Sequence, residues 1–368
     1  MNIPTPRKSI KDFSPYVPGK SIEDLKNEQD IHTVVKLASN ENSWGVSPRA
    51  LKKIKGELNN INLYPQSINK KLNRKIAEKC CVTLDSVITG NGTDELIELI
   101  AKTFLSAPDG DNIVVSKNSF VRYKMAAKLM GGEVKEVDQK NFHIDIHEIC
   151  RAVDKNTKIV FMDNPCNPVG TVLKKDEIQF MISEFESLKH PPLVVIDEAY
   201  YEYVKESQYH SGINFLNSQV PVMVLRTFSK AYGLAGLRIG YGISDPRIIE
   251  LINRIRPPFN TNRLAQTAAL GAIDDENFLN KTFKNTWREK EFMYGALDKL
   301  GIEYVPSQTN FILIYAGQNK EEQICREVAK KGIILRPLRG YSLTGYIRIT
   351  MGNSKVNKIL IKELEKYF

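Results

Sequence analysis

The sequence predicts an α/β fold built on a mostly parallel, buried sheet, and three observations predict it. Short β-branched runs recur along the chain with helical patterns between them. The runs are apolar without a break, as strands covered on both faces are. Finally, a strand-sized run, Val87-Ile88-Thr89, meets a glycine turn that leads straight into a helical pattern.

Each element follows in order. The first forty residues carry Pro4, Pro6, Pro15, Pro18 and Gly19 and read as an extended arm outside the sheet. Strands are expected at 86–89, 113–115, 159–162, 193–196, 222–225 and 239–243. Helical spacing of Leu96, Ile97, Ile100, Ala101 and Phe104 follows the first of them. The Arg256-Pro257-Pro258-Phe259 break is followed by one long helical pattern, 264–299, and by strands at 311–314, 333–336 and 346–350. The expected organisation is an arm over 1–35, a large α/β domain over 36–262 and a smaller α/β domain over 263–368.

Composition removes several classes of function. With 368 residues, 42% hydrophobic and 26% charged, the chain is of ordinary globular type. No apolar run approaches the roughly 18 residues that span a bilayer, and residues 1–8 lack the apolar core of a secretory peptide, so a cytoplasmic protein is expected. The net charge of +9 is spread along the chain, which disfavours nucleic acid as a partner. The five cysteines contain no C-x-x-C pair, so neither a disulfide framework nor a zinc ribbon is signalled. His143 and His147 lack the Glu of H-E-x-x-H and read as loop residues, and no metal is expected.

The most informative segment is Thr227-Phe228-Ser229-Lys230, followed by a glycine-punctuated stretch ending in Arg238. In extended backbone the hydroxyls of Thr227 and Ser229 face one side and Lys230 the other. An anion can then be held beside an amine that faces a reacting carbon. Arg238 adds a planar donor suited to phosphate. Asp197 ends a buried strand at the carboxyl edge, where open α/β sheets bind ligands. Alone it could simply cap a turn; in this company it suits a protonated heterocyclic nitrogen, with Tyr200 able to donate to a phenolate oxygen of the same ring. The amides of Gly92 and Thr93 stand at a helix N-terminus, which attracts phosphate. Asn164-Pro165-Cys166-Asn167-Pro168 is a loop stiffened by two prolines, which leaves Asn167 a fixed amide donor.

Taken together, Gly90–Glu95, Asn164–Gly170, Asp197–Tyr200, Ser229-Lys230 and Arg238 resemble the fold-type-I pyridoxal-phosphate aminotransferases. Within them the chain is most similar to the histidinol-phosphate aminotransferase family, through Pro15–Lys20, Leu37–Asn42, Tyr64-Pro65 and Arg256–Asn260. The resemblance implies a seven-stranded sheet, pyridoxal 5'-phosphate as cofactor and a homodimer with shared sites. It implies that Lys230 forms the Schiff base, Asp197 pairs with the ring nitrogen, and Asn167 and Tyr200 hold the ring hydroxyl oxygen. Phe120 would stack on the ring. Gly92, Thr93, Thr227, Ser229 and Arg238 would hold the phosphate, with Tyr64 reaching over from a second subunit. Tyr16, Asn167, Arg336 and Arg348 would bind the amine donor, with a 2-oxo acid, 2-oxoglutarate, as acceptor.

The chain also departs from the family pattern at Val169, Asn118-Ser119, Ser43-Trp44 and Phe120. Trp44 lies in a segment expected to border the substrate. An aromatic-amino-acid aminotransferase and a phosphothreonine decarboxylase would use similar residues. A nicotinamide dehydrogenase is disfavoured, because no strand leads into G-x-G-x-x-G, and a binding protein without catalysis would not need Lys230 and Asp197 together.

Overall fold

Seven strands form the central sheet, in the spatial order Val87–Gly90, Gly240–Ser244, Val222–Thr227, Leu193–Asp197, Thr157–Asp163, Asn112–Ser116 and Glu133–Val137. This is a computed structural model, and it describes residues 4–11, 13, 15, 19–29 and 33–368. Every pairing in the sheet is parallel except the two made by Gly240–Ser244, which runs antiparallel between its neighbours. Because side chains alternate along a strand, Ile159, Phe161, Leu193 and Val195 pack on one face and Val160, Met162, Val194 and Ile196 on the other. Both faces are apolar, which is why these runs show no polar alternation.

Glu133–Val137 is the strand that the sequence reading missed. It lies at the sheet edge, and its Glu-Val-Lys-Glu-Val pattern is mostly solvent-facing. Charged residues there keep an open edge from pairing with other chains.

A second, four-stranded antiparallel sheet follows in the order Tyr304–Val305, Phe311–Tyr315, Tyr346–Thr350, Arg336–Pro337. Its core joins Ile312, Ile314, Ile347 and Ile349 to Leu297, Val328 and Leu360 of the helices around it. The expected strand at 333–336 divides in two. Ile333–Ile334 pairs in parallel with Val35–Lys36, whereas Arg336–Pro337 pairs with the Tyr346–Thr350 strand. The expected helix over 264–299 also divides, into Arg263–Ala272 and Glu276–Lys299. Asp275 caps the second helix by accepting from Phe278 N and also accepts from Ser47 Oγ at 2.6 Å, so the break is held by a carboxylate.

The arm is not simply extended. Ile22–Gln29 is a helix, opened by a reciprocal cap between Ser21 and Asp24. Its Leu25 is fully buried against Ala38, Ala329 and Ile334. The prolines flanking this segment obscured the Ser-x-x-Asp signal within it. His143 and His147 likewise do not lie in a loop: His143 sits in a two-stranded hairpin and pairs with Glu177 at 2.6 Å, and His147 is in the Ile146–Ala152 helix. No helix among the described residues is long and apolar enough to cross a membrane.

Candidate active site

The carboxyl ends of the central strands open on a cavity of about 170 Å³. It collects Thr93, Phe120, Asn167, Asp197, Tyr200, Thr227, Ser229, Lys230, Arg238, Arg336 and Arg348, residues spread over most of the chain. Gly92 stands just behind Arg238. Tyr64 points elsewhere: it is 77% exposed and stacks on Phe259 at 4.8 Å. Tyr16 lies outside the described residues.

Lys230 follows the Val222–Thr227 strand and donates from Nζ to the Ser39 carbonyl at 3.1 Å. Burial, reinforced by the Arg348 charge, lowers its pKa to about 8, so the uncharged amine is accessible near neutral pH. Asp197 is 3% exposed and ends its strand as expected. It accepts from Tyr123 Oη at 3.0 Å and from Ala199 N at 3.1 Å. The second of these caps the turn after the strand, so the residue caps and faces the cavity at once. Burial raises its pKa to about 7. Tyr200 accepts from Asn40 Nδ2 at 2.8 Å, and burial pushes its phenol upward, so it remains a neutral donor.

The anion end is built from backbone. Gly92 has φ +76° and immediately precedes the Thr93–Phe104 helix, whose first residues, Thr93 and Asp94, line the cavity. That backbone conformation requires glycine, and a Cβ on Gly92 would lie 2.6 Å from Arg238 Nη2, so any side chain there would also push the guanidinium aside. Arg238 donates to Ser229 Oγ at 3.2 Å and pairs with Asp94 at 3.0 Å. Thr227 Oγ1 accepts from Ser229 N at 3.0 Å, which fixes the bend between strand and lysine. Helix N-terminus, guanidinium and hydroxyls thus form a cradle that a side chain at position 92 would fill, and a phosphate monoester fits it.

On the other side, Arg336 and Arg348 are directly opposite partners on neighbouring antiparallel strands. Like charges in that position repel, an arrangement that suits a bound anion. Arg348 donates to Asn167 Oδ1 at 2.5 Å and to the Ala38 carbonyl at 2.8 Å. Asn167, read from sequence as an amide donor, therefore uses its oxygen here and keeps its NH2 for a ligand.

Some site residues escaped the sequence reading. Tyr123 stacks on Phe161 at 4.9 Å and bonds Asp197. Asn40 joins Tyr200 to Thr350. Asp163 ends the Thr157–Asp163 strand and lines the cavity. A strand ending in an acid was the signal that singled out Asp197, and it applied equally to Asp163. Of the segment around Trp44, Ser39 and Asn40 line the cavity, while the Trp44 indole donates to Thr286 in the long helix.

A lysine, a buried carboxylate and an anion cradle around one cavity define the aminotransferase type of site. The sequence profile of the family "Aminotransferase class I and II" matches residues 32–364, and the chain belongs to that family. More particularly, the chain is 39% identical over 360 residues to histidinol-phosphate aminotransferase 2 of Carboxydothermus hydrogenoformans, covering 98% of each. It is also 39% identical to the histidinol-phosphate aminotransferase of Caldicellulosiruptor saccharolyticus, covering 98% of this chain and 99% of that one. In fold it is similar to the histidinol-phosphate aminotransferase of Sinorhizobium meliloti solved with pyridoxal-5'-phosphate, with a TM-score of 0.88 at 24% identity over 100% of this chain and 98% of the other.

Proposed function

We propose that this chain is a cytoplasmic, pyridoxal-phosphate-dependent histidinol-phosphate aminotransferase that passes the amino group to 2-oxoglutarate. The observation that carries the reading is the meeting, in one cavity, of Lys230 and Asp197 with the Gly92–Arg238 cradle and with the Arg336–Arg348 pair.

In this reading Thr93, Thr227, Ser229 and Arg238 would hold the cofactor phosphate, Asp197 would pair with the ring nitrogen, Phe120 would cover the ring, and Asn167 and Tyr200 would hold its hydroxyl oxygen. When bound, the cofactor supplies a carbonyl carbon for the amine and an electron-accepting ring. Lys230 Nζ, with its lowered pKa, would take the proton from the amine-bearing carbon of the donor and deliver it to the carbonyl carbon that the cofactor supplies. Asp197 would favour a positive charge at the ring nitrogen, because an ionised buried carboxylate stabilises a charged partner. Arg336 and Arg348 grip the phosphate of one substrate and a carboxylate of the other, so a single site serves both half-reactions.

A homodimer belongs to the same proposal. Leu58, Ile61, Leu63, Tyr64, Ile68 and Phe259 are all exposed on this chain, an apolar patch of the kind that a second copy covers. Tyr64 would then reach the partner's cradle.

The test is a donor panel of histidinol phosphate, phenylalanine, tyrosine and phosphothreonine with 2-oxoglutarate present. Histidinol phosphate should have the highest kcat/KM. A higher value for phenylalanine would turn the assignment to an aromatic aminotransferase, and carbon dioxide release from phosphothreonine would turn it to a decarboxylase.

A further inference from the structure

The cavity holds a second buried acid. Asp163 and Asp197 are register partners at the ends of adjacent parallel strands, each on the strand face that carries Phe161 and Val195. Neighbouring strands lie about 4.8 Å apart. The two residues are 4% and 3% exposed, and both line the same cavity. The oxygens of Asp163 are used unequally. Oδ2 accepts the amides of Asn167 at 2.8 Å and Phe120 at 3.2 Å, the two residues assigned to the ring face and the ring hydroxyl. Oδ1 is buried and has no hydrogen-bond partner among the described residues.

We propose that Asp163 is a positioning residue that acts through Asp197, the charges of the two coupled so that one of them stays protonated until a cationic heterocycle enters and then gives that proton up to solvent. Resting on the cofactor reading above, this assigns one oxygen to holding Phe120 and Asn167 and the other to the shared charge. Two neighbouring buried carboxylates do not both ionise cheaply. Desolvation raises each to about 7.

The groups around the pair leave these two acids to titrate. Tyr123, Cys166 and Tyr200 are all pushed upward by burial and stay neutral. Asp94 is paired with Arg238. Lys230 titrates near 8, and Arg348 supplies a fixed positive charge that a ring cation must join. A cation therefore binds best when both carboxylates are ionised, and its affinity rises with pH through 7.

The experiment uses the full chain stripped of cofactor and pyridoxine 5'-phosphate, which has no aldehyde and cannot bond Lys230. Binding is followed by calorimetry from pH 6 to 8 in buffers of different ionisation enthalpy, which counts protons released. Wild type should release protons on binding and gain affinity by several-fold across this range. Asp163→Asn keeps an acceptor for both amides but removes the shared charge. Its affinity should vary less with pH and its proton release should fall, the phosphate's own titration near pH 6 being common to both proteins. Identical pH profiles and proton counts in the two proteins would overturn the role of Asp163. If Asp163→Asn does not fold, wild type still decides: no release beyond that of the ligand phosphate overturns the retained proton. Failure of the ligand to bind wild type at any pH would instead overturn the cofactor reading.

Discussion

Replacing Lys230 with Met should make the cofactor-free protein more stable at pH 7 and remove that advantage by pH 10. Lowering the lysine pKa from 10.5 to about 8 corresponds to about 3 kcal/mol at roughly 1.4 kcal/mol per unit. The side chain is partly exposed, and solvent screening brings this to about 2 kcal/mol. Between those two values the folded chain binds fewer protons than the unfolded one, so stability rises with pH across that window. Below about pH 8 the full burden of the buried charge is present; above 10.5 it has gone. Met has similar length and no charge, but loses the bond to the Ser39 carbonyl at 3.1 Å, worth about 1 kcal/mol. The variant should thus gain about 1 kcal/mol at pH 7 and differ little from wild type at pH 10, where about 0.8 kcal/mol of the burden still offsets the lost bond. Urea unfolding of both proteins at the two pH values measures the difference directly. A variant that is destabilised equally at both would refute the claim that burial, and not contact geometry, sets the lysine's state.

Four further outcomes are expected. Asp197→Asn should slow the donor half-reaction by about tenfold to a hundredfold, as loss of a charged hydrogen bond of roughly 1.5–3 kcal/mol implies; an unchanged single-turnover rate would give Asp197 another role. Gly92→Ala should drive Arg238 from its place and weaken cofactor binding by about tenfold or more, since the new Cβ would stand 2.6 Å from Arg238 Nη2 at φ +76°; unaltered cofactor retention on dialysis would count against the cradle. Arg336→Met should raise KM for histidinol phosphate far more than for phenylalanine, because a dianion loses more than a carboxylate; equal effects would separate Arg336 from the donor. Mixing inactive Tyr64→Ala and Lys230→Ala proteins should restore activity through hybrid dimers, and no recovery after verified subunit exchange would mean that each site is built within one chain.

What the sequence discloses and what it hides follow from where each residue's partners lie. Lys230, Asp197 and the Gly92 turn are legible because each sits at a strand end next to a local signal, a glycine, a proline or an adjacent hydroxyl. Six strands of the central sheet are legible for the same reason: burial on both faces leaves an unbroken apolar run. Glu133–Val137 is hidden because an edge strand need not be apolar. Asp163 is hidden because its meaning depends on strand register, which brings it beside Asp197 from 34 positions away. The orientation of Trp44 is hidden because a segment can border a cavity through some residues while others turn away, as Ser39 and Asn40 line it and Trp44 bonds Thr286.

The segment 37–40 has a consequence for the making of the protein. Thr350 N donates to the Leu37 carbonyl, Arg348 to the Ala38 carbonyl, and Asn40 N to Thr350 Oγ1, across a separation of 310 residues in the last two. Ser39 and Asn40, which receive Lys230 and support Tyr200, are thus held by a strand near the far end of the chain. A ribosome that has finished the lysine, both acids and the phosphate cradle has still not supplied what fixes their neighbours. Domains fold as they emerge, but the contacts here with the greatest sequence separation close last. A growing chain therefore passes through about the last third of its synthesis with its reactive amine in hand and no aligned site around it, and catalytic competence arrives only with the Tyr346–Thr350 strand.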